Sequence, residues 1–222
     1  MESRLMIETE VANEPAAQRA YRALERMIVT LDLQPGGITT EGALIERLAL
    51  GRTPVREAIQ RLAWEGLIEI RPRAGLAVAP LLAHDWPLVV DARTGVEIVL
   101  ARSAARHASP ADKQRLHDAA DQMNDAVAAA DALAFLEADK QLDDVFAAAS
   151  DNSFAVRVAA PLQTHSRRFW FRYQSDTGLA QSAEHHIRLI RAVIDGDEWQ
   201  AGREAERLML MLRQLAEHAP RR

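Results

Sequence analysis

The sequence predicts a mainly α protein in two parts. The first is an N-terminal winged helix-turn-helix with a small β-hairpin wing, and the second is a C-terminal all-α antiparallel bundle of about six helices. Three observations lead there. Two short amphipathic segments joined by a tight turn lie before residue 65, as in a helix-turn-helix. A brief apolar–polar alternation follows between Ile68 and Pro80. Beyond residue 85 apolar residues recur only at helical spacing.

In the first helix Tyr21, Leu24, Ile28 and Leu31 make one apolar stripe, ended by Leu33-Gln34-Pro35-Gly36-Gly37. A second, short helix opens at Thr39 or Thr40 and carries Leu44, Ile45 and Leu48, and Ala49-Leu50-Gly51 turns the chain into a third. Thr53-Pro54 reads as that helix's start, with Thr capping free amides and Pro suiting the first helical position. Val55, Ala58, Ile59, Leu62 and Ala63 then face a core. Arg52, just ahead of the start, and Arg56 and Gln60 at four-residue steps take the wet face. Arginines at a helix N-terminus suit phosphate oxygens and guanine edges; an ordinary surface helix with a solvated charged face is the plainer reading. Gly66 stops this helix. Ile68 and Ile70 alternate with Glu69 and Arg71, and Pro72-Arg73-Ala74-Gly75 turns the chain into Leu76, Val78 and Pro80, a hairpin with arginines at its tip.

Pro35-Gly36, Glu41, Leu44, Leu48, the run Arg52 to Ala58, Arg61-Leu62, Glu65-Gly66-Leu67 and Gly75 together resemble the GntR transcription regulators. The resemblance implies base or phosphate contacts from Arg52, Thr53 and Arg56, and wing contacts near Arg73 and Gly75. Gln60 on the same helix face and Arg71 in the wing complete the candidate DNA contacts. Gly51 departs from the family, which usually has Ser or Thr there; the loss of that hydroxyl could remove one phosphate contact.

Composition narrows the function classes. There is no Cys, so disulfides, cysteine-based zinc sites and cysteine nucleophiles are excluded. The first fifteen residues are acidic and no apolar run reaches the roughly 18 residues of a membrane span, so a cytoplasmic protein is expected. The net charge is −5, divided as −3 over residues 1–15, +2 over 16–80 and −4 over 81–222. DNA affinity must then rest on placed arginines and dimerisation rather than on a broad positive field. The expected organisation is an acidic tail over 1–15, the winged helix over 16–80, a short linker over 81–85 and the bundle over 86–222.

The bundle's helices are expected as follows. One opens at His84-Asp85-Trp86-Pro87 with Val89, Ala92, Val96 and Leu100 in register. Others run from Ser109-Pro110 to about Ala129, and through Phe135, Leu136, Leu142 and Phe146. The last three span Phe154 to Tyr173, Ala180 to Ile194 and Trp199 to Glu217. Polar residues fall on their inward stripes. Asp139 and Asp143 lie four apart beside Leu136 and Leu142, His186 shares a face with Leu189, Ile190 and Val193, and Arg93 lies between Val89 and Val96. His165 lies between Leu162 and Phe169. Carboxylates on a core stripe are costly unless paired, so Arg93, Asp139, Asp143, His165 and His186 are the candidate effector pocket. The plainer readings stay open: a hydrogen-bonded core His165, an Arg93–Glu97 pair, a solvated His185, and Trp170 and Trp199 as core or interface residues.

Leu136 to Asn152, with its Ala-Ser-Asp-Asn ending, and His186 to Asp197 resemble the FadR C-terminal domain, the sensor of one large GntR branch. That resemblance implies a divalent cation (Zn, Ni or Mn) held by one Asp and three His, with a small carboxylate beside it. Asp139 and His186 match two of those positions. Asp143 stands where the family has a His, and Leu208, which cannot ligate, stands at the last. Asp139, Asp143 and His186 are therefore the candidate metal ligands of a degraded site. The expected protein is a homodimeric, ligand-responsive repressor on a pseudo-palindromic double-stranded operator, with an organic acid as effector and no membrane partner. The alternative is a helical metal-dependent enzyme using Asp139, Asp143 and His186.

Overall fold

The computed structural model describes residues 14–220 of the 222-residue chain. Most of the acidic stretch expected over residues 1–15 therefore lies outside the described residues. Contacts divide the chain into two compact units that meet between Leu81 and Leu82.

The N-terminal unit contains α1 (Ala16–Val29), β1 (Ile38–Thr39), α2 (Glu41–Leu48), α3 (Arg52–Trp64), β2 (Ile68–Arg71) and β3 (Gly75–Val78). Helices α1 and α3 pack on each other, and Leu24, Ile28, Leu44, Val55, Leu62 and Leu67 of the unit's core are all essentially inaccessible. Each such side chain contributes roughly 1.5–3 kcal/mol by leaving water. The first stripe ends differently from its expected course. Leu31 lies beyond α1 at φ 60°, and Leu33 enters the core in its place. Thr40, not Thr39, caps α2 by accepting from the Ala43 amide.

The start of α3 is also corrected. Arg52 is already helical and Gly51 holds the capping position, so Thr53 is not the cap and Pro54 stands inside the first turn. Pro is tolerated there because first-turn amides have no intrahelical partner. The helix stops as Gly66 implies. Gly66 sits at φ 75°, its amide donates to the Ala63 carbonyl, and the Leu67 amide donates back to Leu62.

The wing is a three-stranded antiparallel sheet in the order β1-β3-β2, one strand more than the expected hairpin. The added strand is two residues long, too short for alternation to show. Ile38 pairs with Ala77 and Thr39 with Leu76. Ile70 was expected to face inward with Ile68, yet only Ile68 is buried and Ile70 is exposed. Gly75 makes the closure possible: a Cβ there would stand 2.6 Å from the Thr39 carbonyl oxygen, and its φ of 91° is one L side chains rarely adopt.

The C-terminal unit holds α4 (Asp85–His107), α5 (Pro110–Ala128), α6 (Ala132–Ala149), α7 (Ser153–Tyr173), α8 (Asp176–Ile194) and α9 (Glu198–His218). Five of these helices open on a side chain that accepts from a first-turn amide: Ser109, Asp131, Asn152, Ser175 and Asp197. Each such cap contributes about 1 kcal/mol. Ser109 and Asp112 form a reciprocal capping box. Helix α9 runs along α4 and α8, α5 packs on α6 and α8, and α7 lies against α4.

Phase and boundary depart from expectation on α4 and α8. On α4 the buried positions include Trp86, Val90, Arg93, Glu97 and Leu100, whereas Ala92 is exposed. Helix α8 begins four residues before Ala180. Trp86 stacks between Phe169 and Tyr173, with ring centroids 6.0 Å from each.

Gly75→Ala should cost the N-terminal unit about 2 kcal/mol or more, from the left-handed φ and the lost β1–β3 approach. Denaturant titration of the full chain checks it; an unchanged midpoint for this unit's unfolding would show that β1 is dispensable.

Candidate functional site

Two regions carry the candidate residues. In the first, Gly51 has no side chain to cap α3, so the Arg52 and Thr53 amides at the helix start are open. Arg52, Thr53, Arg56 and Gln60 are all exposed. The unit's arginines then separate into two groups. Arg61 donates to Glu65 and lies 3.6 Å from the Tyr21 ring centre, and Arg47 donates to Asp32. Arg71, a candidate contact, is held by Glu69 at 2.7 and 3.0 Å. Arg52, Arg56 and Arg73 are the arginines of this unit with no hydrogen bond or ion pair among the described residues.

Arg73 is placed at a cost. The Ala74 amide donates to the Arg71 carbonyl across Pro72-Arg73, closing a tight turn with Arg73 at φ 65°. Proline second and a positive φ third is the pattern of a type II turn, whose third position favours Gly or Asn. An arginine there costs roughly 1–2 kcal/mol. Gly75, also a candidate contact, owes its place to the β1–β3 approach.

The second region is inside the bundle. Helix α6 supplies Asp139 and Asp143, α7 supplies Arg167, and α8 supplies His186. His186 Nε2 lies 2.9 Å from Asp139 Oδ1, and its Nδ1 lies 2.7 Å from the Ser182 carbonyl oxygen. Both partners are acceptors, an arrangement that favours the protonated ring. Arg167 Nη1 donates to Asp143 Oδ2 and reaches Asp139 Oδ2 at 3.4 Å, while Nη2 donates to Thr164 at 3.3 Å. Phe135 meets the His186 ring edge-on at 5.6 Å. Arg93 is closed on Glu97 by two bonds of 2.8 and 3.0 Å, and Gln163 adds a third donor to the same Glu97 oxygen.

The electrostatics follow from this packing. Burial pushes the Asp139 carboxyl up, but the His186 hydrogen bond and the His186, Arg167 and Arg93 charges outweigh it and hold Asp139 well below the usual carboxylate range. Burial and the Asp139 charge push Asp143 up to about 7, with Glu97 adding and Arg167 and Arg93 opposing. For His186, burial lowers the pKa, but the Asp139 bond and charge, the Ser182 carbonyl and Asp143 together raise it.

Arg93, Phe135, Leu136, Asp139, Ser166, Arg167, Trp170, His186 and Leu212 line a cavity of only about 20 Å³, space for a single water. His165 is half-buried on α7 and is not among these lining residues. Arg167 takes the place expected for it. Reading the α7 stripe through Leu162 and Phe169 hid Arg167; the available signal was that two inward carboxylates need a cation from a facing helix. His185, expected in solvent, is half-buried with Nδ1 shielded, and Trp199 is mostly exposed whereas Trp170 is core.

These residues do not fit a divalent cation. Among the described residues no three His, Cys, Asp or Glu side chains are gathered for one. The Asp139 and Asp143 oxygens that would ligate are bridged by Arg167, His186 Nε2 is taken up by Asp139 Oδ1 at 2.9 Å, and Leu208 is buried in the core.

Residues 16–78 match the bacterial regulatory proteins, gntR family, and residues 88–210 match the FCD domain. The chain belongs to the GntR family. Among its relatives is the HTH-type transcriptional repressor RspR of Escherichia coli, 32% identical over 64% of this chain. The aligned part spans 58% of that relative's length. HTH-type transcriptional regulator LutR of Bacillus subtilis is 28% identical over 83% of this chain and 91% of its own. The fold is shared with E. coli McbR/YncC (TM-score 0.74, 16% identity, 89% of this chain, 94% of that one). A putative GntR regulator from Rhodococcus sp. RHA1 shares it too (TM-score 0.70, 19% identity, 92% and 99%). These relatives are regulators, which lends the enzyme alternative no support.

The acid cluster makes stability depend on pH in a defined direction. With its pKa raised, His186 contributes stability that is complete below its unfolded value and is lost as pH rises through the folded one. Asp143, raised to about 7, favours the folded state at low pH and loses that contribution as pH rises from its unfolded value to about 7. Asp139, lowered, loses its contribution only in strong acid. The full-length GntR protein should therefore have a higher Tm at pH 6 than at pH 8, and Asp143→Asn should narrow the gap. Equal Tm values at the two pH values would show that the cluster does not titrate in this range.

Proposed function

We propose that this GntR-family protein is a transcriptional regulator, acting in the cytoplasm as a homodimer on a pseudo-palindromic operator and in the sense of repression. The observation that carries the reading is the set of exposed arginines without intramolecular partners, Arg52, Arg56 and Arg73, beside the open amides at the start of α3. An arginine left unpaired while its neighbours are paired is available to phosphate and to guanine edges. Helix α3 enters the major groove, Arg52 and Arg56 with Thr53 and Gln60 facing the bases and backbone, and Arg73 reaches the flanking backbone from the wing. Arg71 has to leave Glu69 to take part. Two-fold symmetry of the dimer requires matching half-sites. Repression follows RspR, which carries that description.

The effector is a small organic acid received by the C-terminal unit. The cavity between α6, α7 and α8 is too small to admit it, so binding requires the bundle to open, and only that difference between states can be passed to the operator-binding units. An entering carboxylate competes with Asp143 for Arg167, or with Glu97 for Arg93.

Operator binding followed by fluorescence anisotropy, with a site selected from random genomic fragments, tests the reading. Arg56→Ala should weaken specific binding by about 1–3 kcal/mol, and each phosphate-contacting arginine removed should lower the salt slope by about one. Arg73→Gly should leave Tm unchanged or raised, because it relieves the left-handed strain, while weakening operator binding. Recovery of no preferred fragment at low salt would end the proposal; Arg73→Gly lowering Tm would remove the strain argument.

A further inference from the structure

We propose that Arg167 is the resident cation of the bundle's acid cluster, holding with its own guanidinium the position between Asp139, Asp143 and His186 that a divalent ion would occupy, so that this sensor unit folds and works without metal. One nitrogen, Arg167 Nη1, contacts an oxygen of both carboxylates, which is the bridging task of a metal between two monodentate ligands. The guanidinium is held there by two helices: it is nearly inaccessible, its Nη2 donates to Thr164 on its own helix, and both acids come from α6. On the far side His186 from α8 completes the same carboxylate pair through Asp139.

The remaining groups close the alternatives. Arg93, the other buried guanidinium lining the cavity, is committed to Glu97 and does not serve the two aspartates in its place. His186 Nε2 lies 2.9 Å from Asp139 Oδ1, so that nitrogen is directed at a carboxylate. Leu208 is buried in the core and cannot ligate, and the remaining cavity of about 20 Å³ leaves no room for an ion with coordinated water beside the guanidinium. Asp143 is part of the same arrangement: a carboxylate at that position pairs with Arg167 directly, which an imidazole could do only weakly.

The test uses the full-length, untagged protein and Zn²⁺, Ni²⁺ and Mn²⁺ added singly. Wild-type protein should purify with no stoichiometric metal, and its Tm should move with neither metal nor chelator. Arg167→Ala exposes the Asp139–Asp143–His186 donor set, and its Tm should rise with at least one of the metals. The rise should be on the order of 5–10 °C at a concentration roughly a hundredfold above the Kd, and it should disappear when Asp139→Asn is added. Arg167→Gln, which keeps the polarity and much of the volume, is the second variant. If either variant unfolds alone and refolds with metal, the proposal stands. A wild-type protein that binds a metal through Asp139 would overturn it, as would variants that respond to no metal, folded or unfolded. None of these readouts depends on operator binding, so the proposal fails or survives separately from the regulatory reading.

Discussion

Carboxylates inside a helical bundle must be matched by cations, and that requirement organises the C-terminal unit. Asp139 and Asp143 lie one turn apart on α6, retaining 14% and 12% exposure, where two bare negative charges would be far too costly to desolvate. Arg167 from α7 and His186 from α8 converge on them, so three helices are tied together by one charge-balanced cluster. Arg93 and Glu97, one turn apart on α4, make a second closed pair with Gln163 of α7 donating to it. The aromatic contacts of Phe135 with Trp170 and His186 wrap the cluster in apolar surface, which strengthens each of its hydrogen bonds.

The N-terminal unit treats its charges in the opposite way. Among the described residues, its arginines outside the start of α3 and the wing tip have partners, while the side chains of Arg52, Arg56 and Arg73 face solvent unengaged. Positive charge is thereby concentrated at two points of a unit with a net charge of only +2 over residues 16–80. Local backbone serves the same end. Gly51 leaves the first amides of α3 open, and a left-handed turn that would suit glycine carries Arg73 instead. Strain kept at an exposed cation points to an external partner rather than to the fold.

Much of this is legible in the sequence. Gly66 announced the end of α3, and Ser109-Pro110 announced α5. Alternation marked the hairpin, and inward-facing Asp139, Asp143, His186 and Arg93 marked the bundle interior as polar. What escaped did so for identifiable reasons. Strand β1 is too short to have a period. Ile70 alternates correctly and shares its sheet face with Ile68, but it lies nearer the wing tip and stays exposed. Thr53 looked like a cap because Pro54 follows it, although a proline is equally at home one or two residues further into the first turn. Arg167 was passed over because a helix buried on most sides, as α7 is around Gln163 to Trp170, has no single stripe to read.

Periodicity, capping residues and turn glycines determined the class of this protein, since they act over a few neighbouring residues and are written in the chain itself. They also pointed to most of the side chains that face inward, although Ala92, Ile70 and Arg167 show that phase alone does not settle it. Which inward groups meet is another matter. Whether Asp139 and Asp143 receive a metal or a guanidinium, whether Glu69 claims Arg71, and whether Gly75 is needed for close approach depend on how distant helices and strands are set against each other. Those contacts join residues tens of positions apart, and tertiary packing alone decided them.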